Sequence, residues 1–158
     1  MQSVVMMGVA GCGKSSAGQA LAQLLGLPLI EGDEVHPARN IEKMRQGLPL
    51  TDIDRAEWLT ALGHALEQHP TGAVLTCSAL KKSYRDRLRA HVHGLRFVFL
   101  EIDSATAHQR VTARAGDHLF PPSLVDSQFA TLETPVGEPG VLRVDATASL
   151  AHLSQTVN

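Results

Sequence analysis

The sequence predicts an α/β fold, a parallel sheet with helices packed on both faces, and three observations carry that expectation. Short apolar runs alternate along the chain with stretches that carry apolar residues at helical spacing, and strands that alternate with helices pair in parallel through crossovers. The central runs, Val4-Val5-Met6-Met7 and Phe97-Val98-Phe99-Leu100, are apolar at every position, as strands buried on both faces require. The first run also leads straight into glycines and then into an amphipathic stretch, an order of strand, phosphate-sized loop and helix.

Each element has its own signal. After the strand at 4–7, Ala17, Ala20, Leu21, Leu24 and Leu25 share one face of a helix over 15–25, which Gly26 and Pro28 stop. Leu29-Ile30 begins a second strand that ends in Glu31-Gly32-Asp33. Thr51 and Asp54 have the spacing of a capping box. The helix they open turns Trp58, Leu59, Leu62, Ala65 and Leu66 toward the core. Residues 73–77 form a third strand, and a basic helix spans 80–89 with Ser78 as N-cap. A fourth strand covers 96–102. Helices follow over 104–114, closed by Gly116, and over 124–132. A fifth strand spans 141–144 and a last helix 150–157. Two prolines and little apolar content make 117–122 a loop.

With 158 residues, 44% hydrophobic and 19% charged, the chain suits one compact domain over 1–158. No repeat, low-complexity tract or linker divides it. A formal net charge of -2 provides no field for nucleic acid, so anion binding must come from local clusters. Cys12 and Cys77 form neither a disulfide framework nor a zinc spacing, and two reduced thiols fit a cytoplasmic protein. No run reaches the roughly 18 apolar residues of a membrane span. Val9-Ala10-Gly11-Cys12 has the look of a lipoprotein cleavage site, but Met1-Gln2-Ser3 lacks the positive start of an export signal.

Gly8-Val9-Ala10-Gly11-Cys12-Gly13-Lys14-Ser15 matches the phosphate-loop pattern G-x-x-x-x-G-K-S/T at every position. Glycines permit the backbone to turn its N–H groups into one concavity, and the following helix adds its unpaired N–H groups. Gly8, Gly11, Cys12, Gly13, Lys14, Ser15 and Ser16 are therefore assigned to ATP. Lys14 reaches the β- and γ-phosphates, and Ser15 offers its hydroxyl to Mg²⁺. Asp33, after the second strand, falls on the same sheet edge, where ligands of open α/β folds sit. A carboxylate there can join the Mg²⁺ shell or take a proton from a substrate hydroxyl. His36, Arg39 and Lys43 follow closely and suit an acidic substrate, since an arginine fork pairs with a carboxylate through two parallel hydrogen bonds.

These residues also carry a family resemblance. The block Gly32-Asp33-Glu34-Val35-His36-Pro37-Ala38-Arg39-Asn40 is followed by Lys43-Met44, Asp52, Asp54-Arg55 and Trp58-Leu59. Further on stand Cys77-Ser78-Ala79-Leu80-Lys81-Lys82, Tyr84-Arg85-Asp86 and Ser127-Gln128-Phe129. Together with the phosphate loop they resemble the gluconokinase family over nearly the whole chain. The resemblance implies the P-loop nucleoside-triphosphate hydrolase fold in its nucleoside-monophosphate-kinase-like form, with a five-stranded parallel sheet. It implies transfer of the ATP γ-phosphate to D-gluconate, giving 6-phosphogluconate. The implied substrate pocket is Asp33, His36, Arg39, Ser78, Lys81 and Gln128, with a mobile lid at about 110–122 and a homodimer as the assembly. In the family's lid the glycine directly precedes a histidine; here Asp117 separates Gly116 from His118. Glu57 also stands where the family often has a proline.

Phosphoryl transfer asks the protein for alignment and charge compensation. Asp33 is expected to orient and deprotonate the 6-hydroxyl. Lys14 and Mg²⁺ are expected to offset phosphate charge. Arg110 and Arg114, four residues apart on one helix face, are expected to reach the phosphates from the lid and exclude water. Cys12 and Cys77 are both expected near the nucleotide. Two alternatives share the phosphate loop: a kinase for another hydroxy acid such as shikimate, and a nucleotide-binding module without catalysis. A GTP-operated switch would need N-K-x-D, and neither Asn40 nor Asn158 precedes a lysine.

Overall fold

In a computed structural model, which describes residues 3–113, 123–149 and 151–152, five strands form one parallel sheet: β1 (Val4–Met7), β2 (Leu29–Glu31), β3 (Val74–Thr76), β4 (Arg96–Glu101) and β5 (Val141–Asp145). Their order is β2-β3-β1-β4-β5. The helices are α1 (Lys14–Leu25), α2 (Ala38–Arg45), α3 (Asp52–Glu67), α4 (Lys82–His91), α5 (Ser104–Ala113) and α6 (Ser123–Thr131). Of the helix expected over 150–157, residues 151 and 152 are helical and the remainder lies outside the described residues.

β1 is central, and its side chains alternate between two cores. Val4 and Met6 join Val74, Val98 and Leu100 against α1, α5 and α6, through Ala17, Leu21, Ala107, Val111 and Val125. Val5 and Met7 join Leu75, Phe97 and Phe99 against α3 and α4, through Trp58, Leu59, Leu62, Leu66 and Leu88. That two-sided burial is why β1 has no polar position. The parallel register aligns Val5 with both Leu75 and Phe97, so the loops after β1, β2 and β3 open on one edge.

The punctuation signals act as expected at two ends. Gly26 takes a left-handed conformation at φ 67°. Leu27 N–H then reaches Ala22 O at 3.0 Å, closing α1 in a Schellman turn. At α3 the capping box is complete: Asp54 N–H donates to Thr51 Oγ1 at 3.2 Å, and Thr51 N–H donates to Asp54 Oδ2 at 3.0 Å.

Two boundaries differ from expectation for tertiary reasons. β2 stops at Glu31, and Gly32–Val35 forms a 3₁₀ turn. A Cβ on Gly32 would stand 2.1 Å from Thr76 O, so only glycine lets β2 lie against β3 at this point. α4 begins at Lys82, with Lys81 rather than Ser78 in the N-cap position and no side-chain cap. Before it, Ala79 sits at φ 47° and both Ala79 and Leu80 are fully buried. Arg85, itself fully buried, fixes that turn. Its Nη1 donates to Ala79 O at 2.7 Å, while its Nε and Nη2 grip Glu138 at 2.9 and 2.7 Å. This bidentate pair ties the loop after β3 to the segment before β5.

Candidate active site

The phosphate loop joins β1 to α1. Gly8, Gly11 and Gly13 have φ of 147°, 85° and 89°, conformations that side chains resist. A Cβ on Gly8 would meet Cys12 Sγ at 2.8 Å and Leu100 O at 2.9 Å, and one on Gly11 would meet Ala107 O at 2.8 Å. The loop is thus pressed onto β4 and α5. Gly13 caps α1 without a side-chain hydrogen bond, which leaves the first-turn N–H groups available to an anion. Lys14 Nζ folds across the loop, donating to Gly8 O at 3.0 Å and Val9 O at 3.2 Å.

Three outside residues brace this loop. Gly8 N–H donates to Ser78 O at 3.3 Å. Gln128 Oε1 accepts from Ala10 N–H at 2.6 Å, so this predicted substrate residue stands on the phosphate loop. Arg110, from α5, donates to Gly11 O at 3.3 Å and to Ala146 O at 3.4 Å, which sets its guanidinium beside the loop. Arg114, His118 and the lid beyond residue 113 lie outside the described residues.

A carboxylate that the sequence reading passed over ties the end of β2 to the start of α1 and the end of β3. Glu31 Oε2 accepts from Ser15 Oγ at 3.0 Å and from Thr76 Oγ1 at 2.7 Å. With its proton committed to Glu31, the Ser15 hydroxyl keeps lone pairs for a cation. Hydroxyl and carboxylate oxygens are the hard donors that Mg²⁺ prefers, so the residues present fit that ion. The available signal was an acidic residue two positions before Asp33, since Glu31 and Asp33 flank one glycine at the same strand end.

Trp58 fixes the segment from Gly32 to His36. Its Nε1–H donates to Gly32 O at 2.9 Å, one residue before Asp33, and its ring stacks on His36 at 3.9 Å and 15°. Asn40 Nδ2 donates to Asp54 O at 2.9 Å and lies 3.2 Å from His36 Nδ1. The Asp54 carbonyl can only accept, so the amide nitrogen faces both partners and His36 Nδ1 is an acceptor. The His36 proton therefore sits on Nε2, where it can donate.

Beyond this segment lies a polar cluster. Lys81 Nζ and Tyr84 Oη both bond Asp52 Oδ1, at 3.1 and 2.5 Å. Arg55 is buried, with its guanidinium carbon 5.3 Å from the Tyr84 ring centroid. Its Nε has no hydrogen-bond partner among the described residues. Arg39, by contrast, is exposed on α2 and pairs with Glu57 Oε2 at 3.1 Å. Lys43 is held by Asp54 at 2.7 Å.

Burial, reinforced by Arg55, pushes His36 from 6.5 down to about 3. The ring is neutral at neutral pH and acts as a hydrogen-bond donor, not a cation. The sign of the linkage is fixed by that depression. Above pH 6.5 both folded and unfolded chains carry neutral His36; as pH falls toward about 3, only the unfolded chain takes up the proton. His36 then costs stability at about 1.4 kcal/mol per pH unit below its ordinary pKa. Urea unfolding at pH 7 and pH 4.5 should therefore show wild-type losing about 2.5 kcal/mol more than His36→Gln over that interval. Equal losses would remove His36 from the acid response. Burial also raises both thiols, Cys77 to about 12, so neither is a reactive thiolate.

Comparison with known proteins places the chain among P-loop kinases. A family described as an AAA domain matches residues 4–135. The chain is 41% identical over 159 residues to the thermosensitive gluconokinase of Escherichia coli (strain K12), covering 98% of this chain and 84% of that protein. It is 45% identical over 144 residues to the gluconokinase of Gluconobacter oxydans (strain 621H), covering 89% and 80%. A solved gluconokinase from Sinorhizobium meliloti 1021 superposes with a TM-score of 0.89 at 47% identity, over 98% of this chain and 88% of that one.

Proposed function

The chain belongs to the gluconokinase family of P-loop kinases, and on that premise we propose that it transfers the γ-phosphate of ATP to the 6-hydroxyl of D-gluconate, giving 6-phospho-D-gluconate and ADP. The observation that carries the reading is the placement of Asp33. Gly32 and Trp58 hold it just beyond β2, on the edge where the phosphate loop opens beyond β1.

In this reading Asp33 orients the 6-hydroxyl. The hydroxyl oxygen attacks the γ-phosphorus, the bond to the β,γ-bridging oxygen breaks, and the proton passes to the Asp33 carboxylate. Lys14 leaves the Gly8 and Val9 carbonyls for the β- and γ-phosphates, and Arg110 adds charge from α5. Ser15 and Glu31 would hold Mg²⁺. Bound there, the ion supplies charge compensation on the β- and γ-phosphates. Arg114 and the lid would close over the phosphates and exclude water, the competing acceptor.

The sugar acid would lie along the Gly32–His36 segment, with His36 Nε2–H donating to a hydroxyl. Arg55 would take its carboxylate, because a buried guanidinium with an unused Nε–H matches that anion. In this reading Lys81, held by Asp52, would bound the far side of the substrate and Arg39 would stand at the rim. No helix among the described residues is long and apolar enough to cross a membrane, and we place the activity in the cytoplasm.

A coupled assay for ADP release tests the reading. Gluconate should raise release above the ATP-only rate by at least about 10³-fold, the scale expected when acceptor and phosphate are aligned. Shikimate should leave the rate at background. Equal stimulation by both acids, or by neither, would refute the assignment.

A further inference from the structure

The sheet edge remote from the phosphate loop carries a second concentration of chemistry. Of the chain's eight histidines, four (His64, His69, His91 and His93) gather there with Glu67. His64 and Glu67 lie one turn apart near the end of α3, and His91 is the last residue of α4. Nδ1 of His64 is 4.0 Å from Glu67 Oε2, and Nδ1 of His91 contacts Glu67 Oε1. The two imidazoles stand edge-on, 5.3 Å between centroids at 70°. One donor atom from each of the three residues falls within 4.8 Å of the others.

The surrounding backbone is shaped to this arrangement. Gly63 is buried within α3, and a Cβ there would stand 2.2 Å from the His91 ring. Only glycine at this position opens the slot in which His91 lies against α3 between His64 and Glu67. The two helices also end at the same place. Both C-termini present partial negative charge, and a carboxylate on the last residue of a helix opposes that field. Glu67 is such a carboxylate, so the corner as a whole favours a cation.

We propose that His64, Glu67 and His91 form a binding site for a divalent transition-metal ion of the Zn²⁺ class, clamping α3 to α4. Two imidazole nitrogens and one carboxylate are the donors of three-ligand zinc sites, which leave one position open. Tetrahedral bonds of about 2.0–2.1 Å would place the ligand atoms roughly 3.4 Å apart. His64 and Glu67 are exposed, so small side-chain rotations reach that spacing. A cavity of about 300 Å³ adjoins the site and is lined by His69 and His93 as well as Glu67 and His91, which gives the open position a second set of imidazoles. Mg²⁺ prefers oxygen ligands, so the catalytic ion has no claim on this corner.

Zinc titration of the full chain, followed by calorimetry and thermal unfolding, tests the proposal. With free Zn²⁺ about a hundredfold above its Kd, the unfolding midpoint should rise by about 5 °C or more, and Mg²⁺ at the same concentration should not reproduce the shift. His64→Ala, at an exposed position, and Glu67→Gln should each weaken zinc binding by at least about tenfold. Both should turn over gluconate at the wild-type rate with Mg²⁺ and ATP. The proposal fails if zinc leaves the midpoint unchanged, or if both variants bind zinc as tightly as the wild-type chain.

Discussion

Replacing Asp33 with asparagine should lower kcat by about 10³-fold, the middle of the range for loss of a positioned general base, while ATP affinity stays within about twofold. The substitution keeps the shape of the side chain and its 3₁₀ turn, so Gly32 and Trp58 continue to hold the segment. What disappears is the basic oxygen proposed to orient the acceptor and take its proton. The ATP contacts proposed above lie elsewhere, in the phosphate loop, Lys14 and Arg110, so its binding should be spared. Steady-state turnover and calorimetric ATP binding on the same preparation check both halves. A variant that retains more than a tenth of wild-type turnover would remove Asp33 from the chemistry.

Arg55→Met should raise the KM for gluconate by about 10²-fold, on the scale of 2–5 kcal/mol for loss of one partner of a buried charged pair. kcat at saturation and the affinity for ATP should change little, because the carboxylate end of the substrate is remote from the reacting hydroxyl. Arg39→Ala serves as the internal comparison. Arg39 is exposed and already engaged with Glu57, so its loss should raise KM by less than about fivefold, the effect of a rim charge. Thermal unfolding adds a readout that a purely structural arginine would fail. Methionine fills most of the volume and carries no charge to desolvate, so the unfolding midpoint should hold or rise. A lower midpoint with an unchanged KM would make Arg55 a packing residue.

The site was legible in the sequence where its chemistry is local. The phosphate loop is contiguous, and each glycine answers to its own backbone geometry, so Gly8, Gly11 and Gly13 announce the cradle without knowledge of the fold. The same holds for the Thr51–Asp54 capping box and the Gly26 stop. Where long-range packing decides, sequence spacing was a poorer guide. Ser78 has the chemistry of an N-cap, but Arg85 and Glu138 draw the Ala79 turn into the core and delay α4 to Lys82. Gln128 sits far from the loop in sequence and reaches Ala10 only because α6 lies across it.

Glu31, Arg55 and Trp58 share another form of invisibility. On a strand end or a helix face, a glutamate or arginine most often reads as a solvated charge. Glu31 gains meaning from Ser15, in the first turn of α1, and Thr76, at the end of β3. Arg55 gains it from burial beside Tyr84. Trp58 was placed correctly in the core, yet its indole N–H also supports the carbonyl beside Asp33, a duty that hydrophobic periodicity cannot show.

The proposed reaction requires a γ-phosphate and a sugar-acid hydroxyl to meet at Asp33. A crystal structure with D-gluconate and a non-hydrolysable ATP analogue tests this most directly. The 6-hydroxyl oxygen should lie within about 3 Å of an Asp33 carboxylate oxygen and in line with the γ-phosphorus, with the carboxylate of gluconate on Arg55. Gluconate bound with its 6-hydroxyl turned away from Asp33, or outside the edge shared by β1 and β2, would contradict it.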